Sequence, residues 1–217
     1  MIKLKDILLE GKPPSIFIPR RIEDRVERMI RLYIRNGNKG NLNLQNLHLT
    51  KLPEILKDIT IDGDFYCGNN NLTSLENCPK TVSVHFYCNN NLLTSLAGVP
   101  SSVGEDFDCS NNKLTSLINA PKSVVISFYC GTNHLTSLEG APTNVGGSFY
   151  CGNNELTSLE FAPTSVGRNF DCSYNELTSL EFAPKTVGGF FDCRYNPVKF
   201  TEKQVRAVCN VKGDVYV

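Results

Sequence analysis

From Leu42 to about Phe200 the chain repeats a single arrangement of apolar and polar positions. Aligned on cysteine, the copies place Cys67, Cys88, Cys109, Cys130, Cys151, Cys172 and Cys193 at a constant step of 21 residues. Two positions before each cysteine stands Phe65, Phe86, Phe107, Phe128, Phe149, Phe170 or Phe191. Three after it stands Asn70, Asn91, Asn112, Asn133, Asn154, Asn175 or Asn196. Leucines follow five and eight positions after the cysteine, Leu135 and Leu138 for example, with Val198 in the last leucine slot. A proline (Pro79 to Pro184) and a valine (Val82 to Val187) close each of the first six units. A fixed period of this length predicts a solenoid.

Within each unit Phe and Cys are two apart, so both point to one side of a short strand. The Asn turns the chain, and its amide is expected to bond backbone groups of the turn and of the next coil. Proline then stops any long helix on the far side. One coil cannot bury its own Phe, Cys and Leu face, whereas parallel coils stacked about 4.8 Å apart can. The valine sits four residues before Phe, which predicts a bulge on the approach to the strand.

The ends depart from the pattern, as solenoid caps do. In "LNLQNLHLTKLP", Leu42, Leu44, Leu49 and Leu52 fit a first coil, but Leu47 takes the Asn slot. Before it, "PRRIEDRVERMIRLYIRNG" places Ile22, Val26, Met29, Ile30, Tyr33 and Ile34 on one helical face, with Gly37 ending the helix. After the last coil, Thr201 and Gln204 form a capping-box pair, Val205 and Val208 are expected to pack down, and "DVYV" to add a strand. The expected organisation is a leader and linker over 1–19, a capping helix over 20–41, a solenoid over 42–200 and a C-terminal cap over 201–217.

The motif "LTSLEGAPTNVGGSFYCGNNEL" resembles the strand-and-asparagine-turn signature of leucine-rich repeats, with Phe and Cys in two leucine slots. The short coil and early proline resemble the bacterial short-repeat subclass and repeat proteins of large tailed phages. The resemblance implies a right-handed, β-rich solenoid of parallel strands and a protein partner. Some bacterial effectors of this type carry a separate ubiquitin-ligase domain. Only about twenty residues follow the last coil here, and Cys209 precedes "NVKGDVYV", which does not resemble that ligase's loop.

Composition narrows the function. Formal net charge is zero, which gives no overall bias toward nucleic acid or membrane. Residues 1–40 nevertheless carry ten Lys/Arg against five Asp/Glu, and the remainder twelve against seventeen. No apolar run reaches the ~18 residues of a membrane helix, and Asp6 and Glu10 interrupt what a secretory signal would keep apolar. Nine cysteines without an export signal read as free thiols in a reducing cytoplasm.

The cysteine ladder is read as core packing. Zinc takes four tetrahedral ligands, usually from closely spaced pairs, whereas these thiols come from successive strands of one stack. Neither a metal nor a cofactor is expected. His48, His85 and His134 fall on different coils, and no nucleophile elbow, zinc-protease, phosphate-loop or dinucleotide motif is present, so no catalytic residue is assigned.

Binding has more to stand on. The residue between Phe and Cys points away from both, which assigns Tyr66, Tyr87, Asp108, Tyr129, Tyr150, Asp171 and Asp192 to an outward stripe. Tyrosine gives large contact area with a polar tip at low entropic cost. The same stacking also serves sheet stability through cross-strand contact. A basic or mixed protein partner fits this stripe better than nucleic acid does.

Two further surfaces are Phe161 and Phe182, which replace Gly or Asn of earlier coils, and the arginines of the N-terminal helix. Finally, "MIKLKDILLEG" resembles leaders of proteins packaged into phage heads, cleaved after a Leu/Ile-x-Glu motif. Glu10 and Gly11 would flank the cut, although Leu52-Pro53-Glu54 matches the motif as well. This resemblance implies a competing role as a virion-associated or head-packaged structural protein.

Overall fold

The computed structural model describes residues 22–217. The leader, with Glu10 and Gly11, therefore lies outside the described residues.

The repeat builds a stack of coils whose backbone is pinned mainly by two-residue strands. The long sheet has nine parallel strands, in order Leu42–Asn43, Phe65–Tyr66, Phe86–Tyr87, Phe107–Asp108, Phe128–Tyr129, Phe149–Tyr150, Phe170–Asp171, Phe191–Asp192 and Val215–Tyr216. Register is uniform: each Phe pairs with the Phe one coil away, from Phe65↔Phe86 to Phe170↔Phe191. Leu42 occupies the first Phe slot and Val215 the last.

The valines do not bulge this sheet. Thr81–Val82 to Ser123–Val124 join Thr60–Ile61 in a separate four-stranded parallel sheet. Asn144–Val145, Ser165–Val166 and Thr186–Val187 form another with Asn210–Val211. The residues between valine and Phe turn a corner, so the extra spacing belongs to a second side of the coil.

Burial follows the period. All seven Phe of the ladder are fully buried, and their rings contact one another at centroid distances from 5.0 Å to 6.0 Å. At about 1.5–3 kcal/mol for each buried Phe or Leu, the inward face is the dominant stabilising term. All nine cysteines are free and buried. Burial raises the ladder thiols well above their ordinary range, Cys67, Cys109 and Cys151 among them. Several fill their slot and also donate weakly to the next strand, as Cys130 Sγ does to the Tyr150 carbonyl at 3.4 Å.

The asparagines reach backward along the stack. Asn133 Oδ1 accepts from Leu114 N at 3.0 Å, one coil earlier. Its Nδ2 donates to the carbonyls of Cys130 and Cys109, both at 3.1 Å. The inter-coil link is present, but it runs to the preceding coil and not, as the sequence predicts, to the next one. Where Leu47 stands in the Asn slot, Asn70 compensates by accepting from both Leu47 N (2.9 Å) and Leu49 N (3.1 Å).

Both ends are closed. Helix α1 (Ile22–Arg35) buries Val26, Ile30 and Tyr33 over the first coil. Met29 is partly buried and Ile34 is exposed, so the apolar stripe is narrower than its periodicity predicts; the Ile22 side chain lies outside the description. Gly37 ends the helix at φ +75°, with Gly37 N bonding the Ile34 carbonyl and Asn38 N the Tyr33 carbonyl. This is the left-handed stop that glycine makes without strain. At the far end, helix α2 (Glu202–Val208) carries the capping box between Thr201 and Gln204. Val205 is buried, but Val208 points outward. The final strand, Val215–Tyr216, closes the long sheet against Phe191–Asp192.

Candidate functional site

The outward side of the long sheet carries the stripe between Phe and Cys. Tyr66, Tyr87, Tyr129, Tyr150, Asp108 and Asp171 are half-buried there, each on the strand side opposite its neighbouring Phe. Tyr66 and Tyr87 stack at 5.2 Å between centroids and 17° between planes. Tyr129 and Tyr150 stack at 5.1 Å and 5°. Asp108 separates the two pairs.

Asp192 does not belong to the exposed stripe. It is buried, and its carboxylate receives Arg194 Nη2 at 2.6 Å and Nε at 3.1 Å. The terminal strand supplies the reason. Tyr216 lies beside Asp192, and its ring stacks 5.0 Å from the Arg194 guanidinium, which closes over the carboxylate. Asp192 holds the Arg194 guanidinium above its ordinary pKa. This end of the stripe is therefore a neutralised aromatic–arginine corner.

Asp108 and Asp171 are also locally engaged. Each accepts from the serine two residues on: Ser110 Oγ at 2.6 Å and Ser173 Oγ at 2.6 Å. Burial raises the Asp108 carboxyl, and the Ser110 hydrogen bonds oppose that rise.

A second polar ladder runs beside the tyrosines, at the residue immediately before each Phe. Asn41, Asp64, His85, Asp106, Ser127, Ser148 and Asn169 each accept the backbone N–H of the equivalent residue one coil on, at 2.9–3.2 Å. The ladder also holds tyrosine hydroxyls. Tyr66 Oη donates to Asp64 Oδ2 at 2.7 Å, Tyr87 Oη to Asp106 Oδ2 at 3.4 Å, and Asn169 Nδ2 donates to Tyr150 Oη at 3.2 Å. The bond to Asp64 raises the Tyr66 phenol, and burial raises those of Tyr87 and Tyr129. The signal for this ladder was present as an unbroken polar column ending at Phe190.

Sequence reasoning also missed Tyr174 and Tyr195. Both are exposed and stack at 4.2 Å. They occupy the column held by Asn69, Asn90, Asn111, Thr132 and Asn153 in earlier coils, all with positive φ. Tyr174 joins Tyr150, Asp171, Gly131 and Gly152 around a shallow open groove of about 440 Å³.

The three histidines stand on separate coils. His85 lies in the polar ladder, 3.3 Å from Asp106 and 3.4 Å from Glu105, and His134 pairs with Glu155 at 3.0 Å. No group of three or more His, Cys, Asp or Glu there is placed to hold a metal ion. No described helix is long and apolar enough to cross a membrane.

A parallel solenoid with 21-residue coils, an inward Phe–Cys–Leu ladder and an asparagine at each turn has the leucine-rich-repeat fold. Its architecture is similar to the leucine-rich-repeat domain of a Shigella effector, with a TM-score of 0.69 and 20% identity over 92% of each chain. A partial overlap is found with YopM from Yersinia enterocolitica WA-314, at TM-score 0.42 and 19% identity, spanning 86% of this chain and 53% of that one. No protein-family model and no curated protein sequence matches the chain.

Proposed function

We propose that the chain is a non-enzymatic scaffold that docks a protein partner on the outward side of its long sheet. The observation that carries this reading is the pair of tyrosine stacks, Tyr66–Tyr87 and Tyr129–Tyr150, half-exposed with three hydroxyls held by the neighbouring ladder. Rings fixed in place before binding lose little entropy on contact. Asp108 and Asp171 add acidic points between and beyond them, Asp192 contributes only as the anchor of Arg194, and Tyr174 widens the surface on one flank. The partner that fits is a protein surface with mixed or basic polarity, rather than nucleic acid.

The test is a pull-down from the natural host comparing wild type with Tyr129→Ala/Tyr150→Ala. Loss of the recovered partner supports the stripe, and unchanged recovery removes it. The competing reading, cargo packaged in a phage head after cleavage between Glu10 and Gly11, is separated by mass spectrometry of the native protein. A mature terminus at Gly11 would favour packaging, and an intact Met1 in a soluble complex would favour the scaffold.

A further inference from the structure

The turn after each pair of leucines has a strict backbone requirement. In the fifth unit, Ser158 Oγ accepts from Glu160 N at 3.0 Å, and Ala162 N donates to the Leu159 carbonyl at 2.9 Å. The residue at the turn's third position is thereby left-handed. Asn77, Gly98, Asn119 and Gly140 hold it in earlier coils, with φ between +66° and +98°. Gly and Asn take this conformation with least strain. The next two coils put Phe161 (φ +66°) and Phe182 (φ +64°) there instead.

For a bulky side chain a left-handed backbone is an outlier, and burial does not offset it. Phe161 is 52% exposed and Phe182 56%. Both rings therefore sit in solvent on strained backbone, one coil apart, where the fold itself asks for Gly or Asn. Stability does not account for them.

Charge specifies what would cover them. Glu160 and Glu181 immediately precede the two rings, and Glu139 holds the same column one coil earlier. All three are exposed and make no ion pair among the described residues. Two exposed rings flanked by unpaired carboxylates repel an anionic membrane and suit a cationic, apolar segment.

We propose that the turn edge formed by Glu139, Glu160, Phe161, Glu181 and Phe182 is a second docking surface, taking a partner protein segment in which basic residues alternate with apolar ones. It lies on a different part of the coil from the tyrosine stripe and stands or falls independently of it.

The test uses the full chain and a fluorescein-labelled sixteen-residue peptide of alternating lysine and leucine, read by fluorescence anisotropy. Phe161→Asn/Phe182→Asn restores the residue found at positions 77 and 119. It is expected to weaken binding by about tenfold or more while leaving Tm unchanged or raised. Glu160→Gln/Glu181→Gln should weaken binding and flatten its salt dependence, and a glutamate–leucine peptide should not bind. Tyr129→Ala/Tyr150→Ala should bind the peptide as wild type does. The proposal is overturned if the Phe→Asn double variant binds within about twofold of wild type. A fall in its Tm would overturn it too, since the rings would then be structural. So would loss of binding in the tyrosine variant, or wild-type dimerisation that the Phe→Asn change abolishes, which would hand the edge to a second copy.

Discussion

Replacing Asn133 by alanine probes the device that ties one coil to another. Asn133 is 7% exposed, at the middle of the stack. Its Oδ1 is the acceptor found for Leu114 N, so alanine leaves that buried N–H without a partner, a cost of about 1–3 kcal/mol. The carbonyls of Cys109 and Cys130 each lose one donor but keep another, from Asn112 at 3.0 Å and Asn154 at 3.2 Å. Two half-satisfied carbonyls add roughly 0.5 kcal/mol each, which gives about 2–4 kcal/mol in total. Asn196 makes the equivalent bonds to Leu177 N, Cys172 and Cys193 at the half-buried last coil, where water can substitute. There the expected loss is about 1 kcal/mol. Urea unfolding followed by circular dichroism should show a lower midpoint for Asn133→Ala than for Asn196→Ala, at similar slope. A loss under about 0.5 kcal/mol for Asn133→Ala, or equal losses at both sites, would refute the reasoning.

Three other outcomes follow from the same contacts. Burial raises the thiols of Cys67, Cys88, Cys109, Cys130, Cys151 and Cys172 above their ordinary value of 9. The unfolded chain therefore loses those protons first, so stability is full below about pH 9 and falls as pH rises. Each thiol contributes a slope of about 1.4 kcal/mol per pH unit. Denaturation profiles from pH 8 to 11 should be shallower by about that amount in Cys130→Ala, and an unchanged slope would count against burial of that thiol. Thr201→Ala removes the hydroxyl that accepts from Gln204 N at 3.3 Å and should cost about 1 kcal/mol. Hydrogen exchange should show reduced protection in helix α2 and the Val215–Tyr216 strand, and unchanged protection there would mean the cap holds without its box. Ile30→Asp places a carboxylate at a fully buried position of helix α1 and should cost several kcal/mol, about 3 or more. Retention of the wild-type midpoint would mean the helix is not a lid.

The inward ladder and both caps were legible because they depend on spacing alone. Phe149 and Cys151 must share a face if the segment is a strand, and Thr201 with Gln204 names its own cap. The side sheets were not, since a two-residue strand such as Ser165–Val166 is too short to show an alternation. Direction was hidden as well: an asparagine every 21 residues shows that a neighbour is bonded, but not that Asn133 reaches back to Leu114. Asp192 misled because its burial depends on Tyr216, which the terminal strand rather than the repeat brings beside it, and on Arg194, two residues on in its own coil, whose guanidinium closes over the carboxylate. Tyr174 and Tyr195 were not legible because they stand outside the column between Phe and Cys, in a column that is polar for five coils, from Asn69 to Asn153, before they appear at its end.

The backward reach of the asparagines gives the molecule an arrow. No rung is complete until its successor exists, because Leu114 waits for Asn133 and Leu135 for Asn154. A chain emerging from the ribosome would always carry one unfinished rung at its growing tip, healed in turn by the next. The residues after Asn196 break that series, and the segment from Thr201 onward ends it with a helix and a strand instead of another amide.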